Sequence, residues 1–237
     1  MPDKRSHRGA HPKDAGDFGE SQLAKLSDAV DDLCWLLTRG YPDTRALILV
    51  GDRYNLRERQ RKAVGRVVVA DQDRKSRSAR RIEPEETRGL RLDLDGYNVL
   101  LTVEASLGGG VLLPARDGTL RDMAAMSRHY KKVEETRRAL VLLGEFLHRH
   151  GPSEVCWYLD RPISNSGRLR GLMLEVAEEH DWPWAVELVP NPDPVIKESE
   201  HVMVSADSAI LDAGGPWLNL ARHVVEPYKE STWWVEL

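Results

Sequence analysis

Residues 90–100 read Leu90-Arg91-Leu92-Asp93-Leu94-Asp95-Gly96-Tyr97-Asn98-Val99-Leu100. Leucine at every second position through residue 94 has the two-residue period of a strand, and Asp95-Gly96 closes it. Apolar residues resume over 99–107, a helix that Gly108-Gly109-Gly110 breaks. The pattern repeats downstream. A long amphipathic helix carries Val133, Thr136, Leu140, Leu143 and Leu147 on one face, and Gly151-Pro152 stops it. Residues 155–159 are a buried strand closed by Asp160, and Leu169, Leu172, Met173 and Val176 mark the next helix. Residues 184–189 are a third strand, ending at Asn191-Pro192-Asp193-Pro194, and residues 202–204 a fourth, ending at Ser205-Ala206-Asp207. Strands alternating with helices predict an α/β fold, a mainly parallel sheet in a three-layer α/β/α arrangement. Between the first two strands, residues 111–123 predict a hairpin around Asp117-Gly118.

Upstream the character changes. Residues 1–20 are polar and predict a disordered arm. Leu23, Leu26, Val30, Leu33 and Leu37 then recur at helical spacing, Gly40 ends that helix, and two further helical patterns follow. Residues 21–70 thus predict a small all-α domain. Residues 71–88 hold almost no apolar side chain and predict a linker, with the α/β domain at 89–237.

The 237 residues are 41% apolar and 30% charged, which excludes a disordered or fibrous chain. No run approaches eighteen apolar residues, and the N-terminus has no apolar signal, so neither a membrane nor secretion is expected. Only Cys34 and Cys156 occur, which fits a reducing cytoplasm better than a disulfide scaffold. The formal net charge of −4 hides a segregation: residues 53–81 hold eleven basic residues against three acidic ones. Such asymmetry points to a polyanionic partner or to a solvated face. Within it, Arg53, Arg57, Arg61 and Lys62 are candidate phosphate contacts, and arginine predominates, as bidentate phosphate binding favours.

Each of the four strands runs into an acidic residue: Asp95, Asp160, Asp193 and Asp207. In an open parallel sheet these strand ends share one edge, where ligands bind. Carboxylates gathered there repel one another and raise each other's pKa. A hard cation, Mg²⁺ or Mn²⁺, relieves that penalty and serves phosphodiester hydrolysis. Taken singly, each aspartate is also an ordinary helix cap or turn residue.

The stretch Leu94-Asp95-Gly96-Tyr97-Asn98-Val99-Leu100 resembles the opening motif of PIN-like nucleases, in particular their NYN branch. Trp157-Tyr158-Leu159-Asp160 with Ser164-Asn165-Ser166-Gly167 is similar to that branch's second acidic position, and Val204-Ser205-Ala206-Asp207-Ser208 to its last. Asp193 with Ile196 matches the position between them loosely, since it sits in a Pro-rich loop. The whole chain is also similar to a two-domain prokaryotic family in which a basic helical domain precedes a PIN-like one. These resemblances imply a ribonuclease with RNA as partner. Asp95, Asp160 and Asp207 would be metal ligands, with Asp193 as a fourth. Asn98 would orient Asp95 or a water, Ser164 and Ser205 would donate to a phosphate or to the carboxylates, and Arg168 and Arg170 would contact phosphates.

Two alternatives stand beside this reading. A PIN-like fold without cleavage would be an RNA-binding or scaffold module working through its basic stretch. Asp93-Leu94-Asp95-Gly96 also looks like the first motif of haloacid-dehalogenase-type phosphatases, with Asp93 as nucleophile and Asp95 as general acid. Tyr97-Asn98 stands where that motif continues with Thr. Trp157 reads as core, Trp233-Trp234 as a packed tail, and His129, His148, His150, His180, His201 and His223 show no metal-ligand spacing.

Overall fold

The structure is a computed structural model that describes residues 7–123 and 130–237. His129 lies outside the described residues. The helices are α1 Asp14–Asp17, α2 Glu20–Thr38, α3 Asp43–Arg53, α4 Glu58–Val67, α5 Asp71–Arg80, α6 Gly96–Leu107, α7 Glu135–His150, α8 Ser166–Glu179, α9 Pro192–Lys197, α10 Ser208–Leu211 and α11 Leu220–Val225. The strands are β1 Arg81–Ile82, β2 Arg91–Asp95, β3 Val111–Pro114, β4 Leu120–Asp122, β5 Glu154–Asp160, β6 Trp184–Val189, β7 Val202–Val204, β8 Trp217–Leu218 and β9 Trp233–Trp234.

The fold is α/β with a helical N-terminal region. Six strands form one sheet in the order β1-β8-β7-β2-β5-β6, and every pairing in it is parallel. β2 is central, flanked by β7 and β5, so its side chains must suit cover on both faces. Alternation sorts them. Leu92, Leu94, Val155, Trp157, Leu159 and Val204 join the largest core, under α6, α7, α8 and α11. Cys156, Tyr158, Met203 and Trp217 face the other way, against Ile196 of α9 and Ile210 and Leu211 of α10. Trp157 is fully buried beside Trp184, as expected of a core residue.

Gly96 explains why β2 can turn straight into α6. A Cβ there would lie 2.9 Å from the Tyr158 carbonyl oxygen and 2.6 Å from Leu159 Cδ2, so only glycine lets the helix start so close to β5.

The hairpin pairs β3 with β4 antiparallel around Gly118, as expected. It does not join the main sheet. β9, the Trp233-Trp234 tail, pairs with the other edge of β3 in a separate three-stranded sheet. Val111 and Leu113 of that sheet share a core with Leu26, Val30, Leu33, Val50, Ala63 and Val64 of α2–α4. The helical region therefore packs on a sheet contributed by the downstream chain.

Two expected segments differ. Residues 71–88, read as a linker, carry α5, whose Arg77 is buried, and β1, which pairs with β8 on the sheet edge. The described part of the arm, residues 7–20, is docked. Arg8 reaches fully buried Glu104 at 3.0 Å, and Tyr130 and Thr136 hydroxyls donate to the same carboxylate at 2.6 Å each. Gly108 and Gly110 permit this, because a Cβ on either would meet the Arg8 backbone at 2.9 Å. Arg8→Ala is expected to cost about 1–3 kcal/mol, since Glu104 keeps its two hydroxyl donors and can take up a proton. Urea unfolding at pH 7 measures it, and no change would mean that the arm contributes nothing.

Candidate functional site: a carboxylate cleft at the strand ends

The carboxyl ends of the parallel strands open into a cleft of about 540 Å³ lined by Asp95, Asp160, Asp193 and Asp207. The four sequence-predicted aspartates, spread over more than a hundred residues, thus share one cleft. β2 delivers Asp95 and β5 delivers Asp160, each as the last residue of its strand. Asp193 follows β6 in the first turn of α9, so it sits at a helix start rather than in an irregular loop. There Asn191 supplies the cap, accepting from the Asp193 N–H, and Lys197 approaches the Asp193 carboxylate at 4.0 Å. Asp207 follows β7 and caps α10 through the Ala209 N–H at 2.7 Å.

Ser205 ties two of these together. Its hydroxyl donates to Asp95 Oδ2 at 2.9 Å and accepts from the Asp207 N–H at 3.0 Å. Asp95 also accepts from the Asn98 N–H at 3.4 Å. The Asn98 side chain does something other than orient Asp95: its Oδ1 accepts from the Ala206 N–H at 2.8 Å, pinning α6 to the segment after β7.

The electrostatics follow from this crowding. Burial raises the Asp95 carboxyl to about 7, against hydrogen bonds from Ser205 and Asn98 that favour its charge, and Asp207 and Asp193 push in the same direction as burial. Burial also raises Asp160, with Asp193 adding to the effect. Among the described residues, no three acidic, histidine or cysteine side chains stand close enough to enclose a metal ion by themselves.

Four residues that sequence reading missed line the same cleft: Arg66 of α4, Thr102 of α6, and Arg121 and Asp122 of β4. Thr102 donates to Asp122 Oδ2 at 3.0 Å. Arg121 is held from three sides, donating to the Arg66 carbonyl at 2.6 Å, to Ser208 Oγ at 3.0 Å and to Asp117 Oδ2 at 3.4 Å. The cleft therefore combines carboxylates from the main sheet with guanidinium groups from α4 and the small sheet.

Several expected contacts lie elsewhere. Ser164 and Arg168 do not line the cleft, and Arg170 donates to the Val186 carbonyl at 2.9 Å. Arg57 pairs with Asp17 at 2.6 Å and Arg61 with Asp52 at 2.7 Å, while Arg53 lies 3.5 Å from Asp32. Much of the basic stretch is thus spent on internal carboxylates. Lys62 faces a different pocket. Asp93, the nucleophile of the phosphatase alternative, is 1% exposed and accepts from Arg91 and Ser199. It does not line the cleft, and no phosphate monoester in that cleft would meet it.

Residues 84–223 match the family described as "Domain of unknown function (DUF5616)". The chain belongs to that family. All four cleft aspartates fall within the matched residues, which run from the turn before β2 into α11. Residues 25–80 match a second description, "Protein of unknown function (DUF434)", which runs from within α2 to the end of α5 and so includes Arg66. A relative from Methanocaldococcus jannaschii, "Uncharacterized protein MJ0935", is 29% identical over 186 residues, spanning 78% of this chain and 88% of its own. No solved structure matches. No helix among the described residues is long and apolar enough to cross a membrane.

Proposed function

We propose that the cleft hydrolyses phosphodiester bonds in RNA with the help of Mg²⁺ or Mn²⁺. The supporting observation is the convergence of Asp95, Asp160, Asp193 and Asp207 on one cleft at the strand ends, with Asp95 buried and, among the described residues, in no ion pair. The donor set is all oxygen, which suits a hard cation. Because the carboxylates do not form a closed cage, the fit is to a hydrated ion held by one or two of them, the manner usual for Mg²⁺. Asp95 and Asp160 from the strand ends, with Asp207 and Asp193 beside them, would hold it. Such an ion, once bound, neutralises phosphate oxygens and acidifies a water.

The chain's own residues supply the rest. Ser205 fixes the Asp95 carboxylate, and because burial raises that carboxyl to about 7 with no cation beside it, a bound cation would favour its charged form. Arg121, immobilised by Asp117 and Ser208, presents a guanidinium to a phosphate without first losing side-chain freedom. The PIN-like likeness and the choice of RNA over DNA rest on the Asp95-Gly96-Tyr97-Asn98 and Ser205-Ala206-Asp207 motifs. Cys34 and Cys156 are both buried and unpaired, which suits the cytoplasmic setting that the reading implies.

One observation favours the binding-only alternative: Arg66 and Arg121 line the cleft beside the carboxylates and can contact a phosphate without cleaving it. An RNA cleavage assay with Mn²⁺ separates the two. Native protein should yield products, and Asp160→Asn should reduce the rate at least tenfold while leaving RNA affinity in EDTA unchanged. Binding without products from the native protein would replace hydrolysis with recognition.

A further inference from the structure

Helix α4 carries two groups of cations on the two flanks of its buried stripe of Gln60, Val64 and Val67. At 100° per residue, Arg59, Lys62 and Arg66 fall within an arc of about 60°, and Arg61 lies on the far side of the stripe, with Arg57 at the cap just before the helix. The Arg57 and Arg61 heads are bound to Asp17 and Asp52. The other flank runs between two openings. At one end Arg59 and Lys62 line a pocket of about 270 Å³, which Arg8, Gly9, His11 and Asp14 of the docked arm also line, Asp14 being the partner of Arg59. At the other end Arg66 lines the carboxylate cleft.

The heads on this flank are differently placed. Arg59 is fixed by Asp14 at 2.5 Å, and Arg66 donates to the Asp122 carbonyl at 2.5 Å. The Lys62 ammonium donates to the Met123 carbonyl at 3.2 Å, and among the described residues no carboxylate lies within ion-pair distance of it. A backbone carbonyl satisfies a hydrogen bond but carries no formal charge. Burial lowers the Lys62 pKa, and the neighbouring Arg66 and Arg59 lower it further. A crowded, half-buried cation of this kind is stabilised by an anion.

We propose that this flank of α4 is the approach track for the phosphodiester backbone of single-stranded RNA, leading from the pocket beneath the arm into the carboxylate cleft. The inference rests on the reading of the cleft as a phosphodiester site and adds where the strand enters. A chain-like polyanion is favoured over a lone phosphate because the cations continue from the pocket to the cleft. Lys62 is the central contact. Arg59 and Arg66 flank it.

The test is fluorescence anisotropy with a labelled single-stranded RNA oligonucleotide in EDTA, so that cleavage plays no part. Lys62→Met keeps the apolar stem and should weaken binding several-fold, lowering the slope of log K against log salt by about 1. Lys62→Arg should restore both, and Arg61→Met should change neither. Equal loss in Lys62→Met and Arg61→Met would overturn the track, as would unchanged binding in Lys62→Met with thermal stability intact. Competition by inorganic phosphate that Lys62→Met abolishes, with oligonucleotide affinity unaltered, would give the pocket to a small anion and also overturn it. A Lys62→Met protein that binds normally, beside an Asp95→Asn protein that no longer cleaves, leaves the cleft reading standing and removes this one alone.

Discussion

Asp95→Asn should abolish Mn²⁺-dependent RNA cleavage and, in EDTA at pH 7.5, raise the thermal midpoint. Both follow from one placement. The Asp95 carboxyl is 8% exposed and raised from 3.8 to about 7. A carboxyl whose folded pKa exceeds its unfolded one binds protons more tightly when folded, so stability falls as pH rises. Well below pH 4, the folded and unfolded forms are both largely protonated and the penalty is small. It grows through pH 4–7 and is complete above. Three pKa units correspond to an upper bound of about 4 kcal/mol, and each kcal/mol moves the midpoint of a chain this size by about 2–4 °C. Asparagine keeps the volume, and an acceptor for Ser205, while removing the charge. The stability gap between variant and native protein should therefore widen from pH 4 to pH 7.5. Added Mn²⁺ should raise the midpoint of the native protein more than that of the variant. A variant less stable than the native protein at pH 7.5 would mean that favourable contacts hold the charge, and the argument for a cation there would fall.

The convergence itself was legible because it depends only on topology. Once β2, β5, β6 and β7 are parallel neighbours, whatever follows each of them arrives at one edge. The apolar alternation at Leu92 and Leu94 and the run 155–159 carry enough signal to define those strands. The other part of the cleft was not legible. Arg66 enters it from α4, and Arg121 and Asp122 from β4, whose partner strand β3 shares a second core with α4; the tail strand β9 that closes the small sheet is two residues long. No local pattern places a hairpin against a helix fifty residues earlier in the chain. Ser205 and Asn98 were identified as residues and only partly in role, because the partner of an amide is set by packing and not by its neighbours in sequence.

The basic stretch was legible only in part, for a related reason. Charge counts in residues 53–81 do not show which carboxylates fold back onto them. Asp17 and Asp52 take Arg57 and Arg61, whereas the Lys62 ammonium meets the Met123 carbonyl. The docked arm was hidden in the same way, since a single arginine reaching a buried glutamate leaves no period to detect.

Arg77 is the strongest case, and Arg77→Ala is expected to cost about 3–5 kcal/mol, the usual effect of breaking a buried ion pair by removing one partner. Its side chain is 3% exposed. Nε and Nη2 grip Asp212 at 2.7 and 2.8 Å, and Nη1 reaches fully buried Asp117 at 2.6 Å. The Trp217 indole N–H donates to the Arg77 carbonyl at 2.7 Å, tying α5 to the sheet edge. Burial alone would raise the Asp117 carboxyl, but Arg121, Thr119 and Arg77 outweigh it and hold it below the usual carboxylate range. A lowered pKa contributes stability above the unfolded value and loses it as pH falls through the folded one. The gap between native and Arg77→Ala protein, read by urea unfolding, should thus be full at pH 7 and shrink below about pH 4. Arg77→Met, which refills the volume, should recover less than half of the loss, because Asp117 still lacks its closest guanidinium. A further consequence reaches the cleft. With Arg77 gone, Arg121 becomes the remaining guanidinium on Asp117, and its hydrogen bond to Ser208 should weaken. Cleavage under folding conditions should then fall with the substrate KM rising, a change that simple loss of stability does not produce. If residues 71–88 were a tether, none of this would occur, and a loss under about 1 kcal/mol, within the range of an exposed ion pair, would show it.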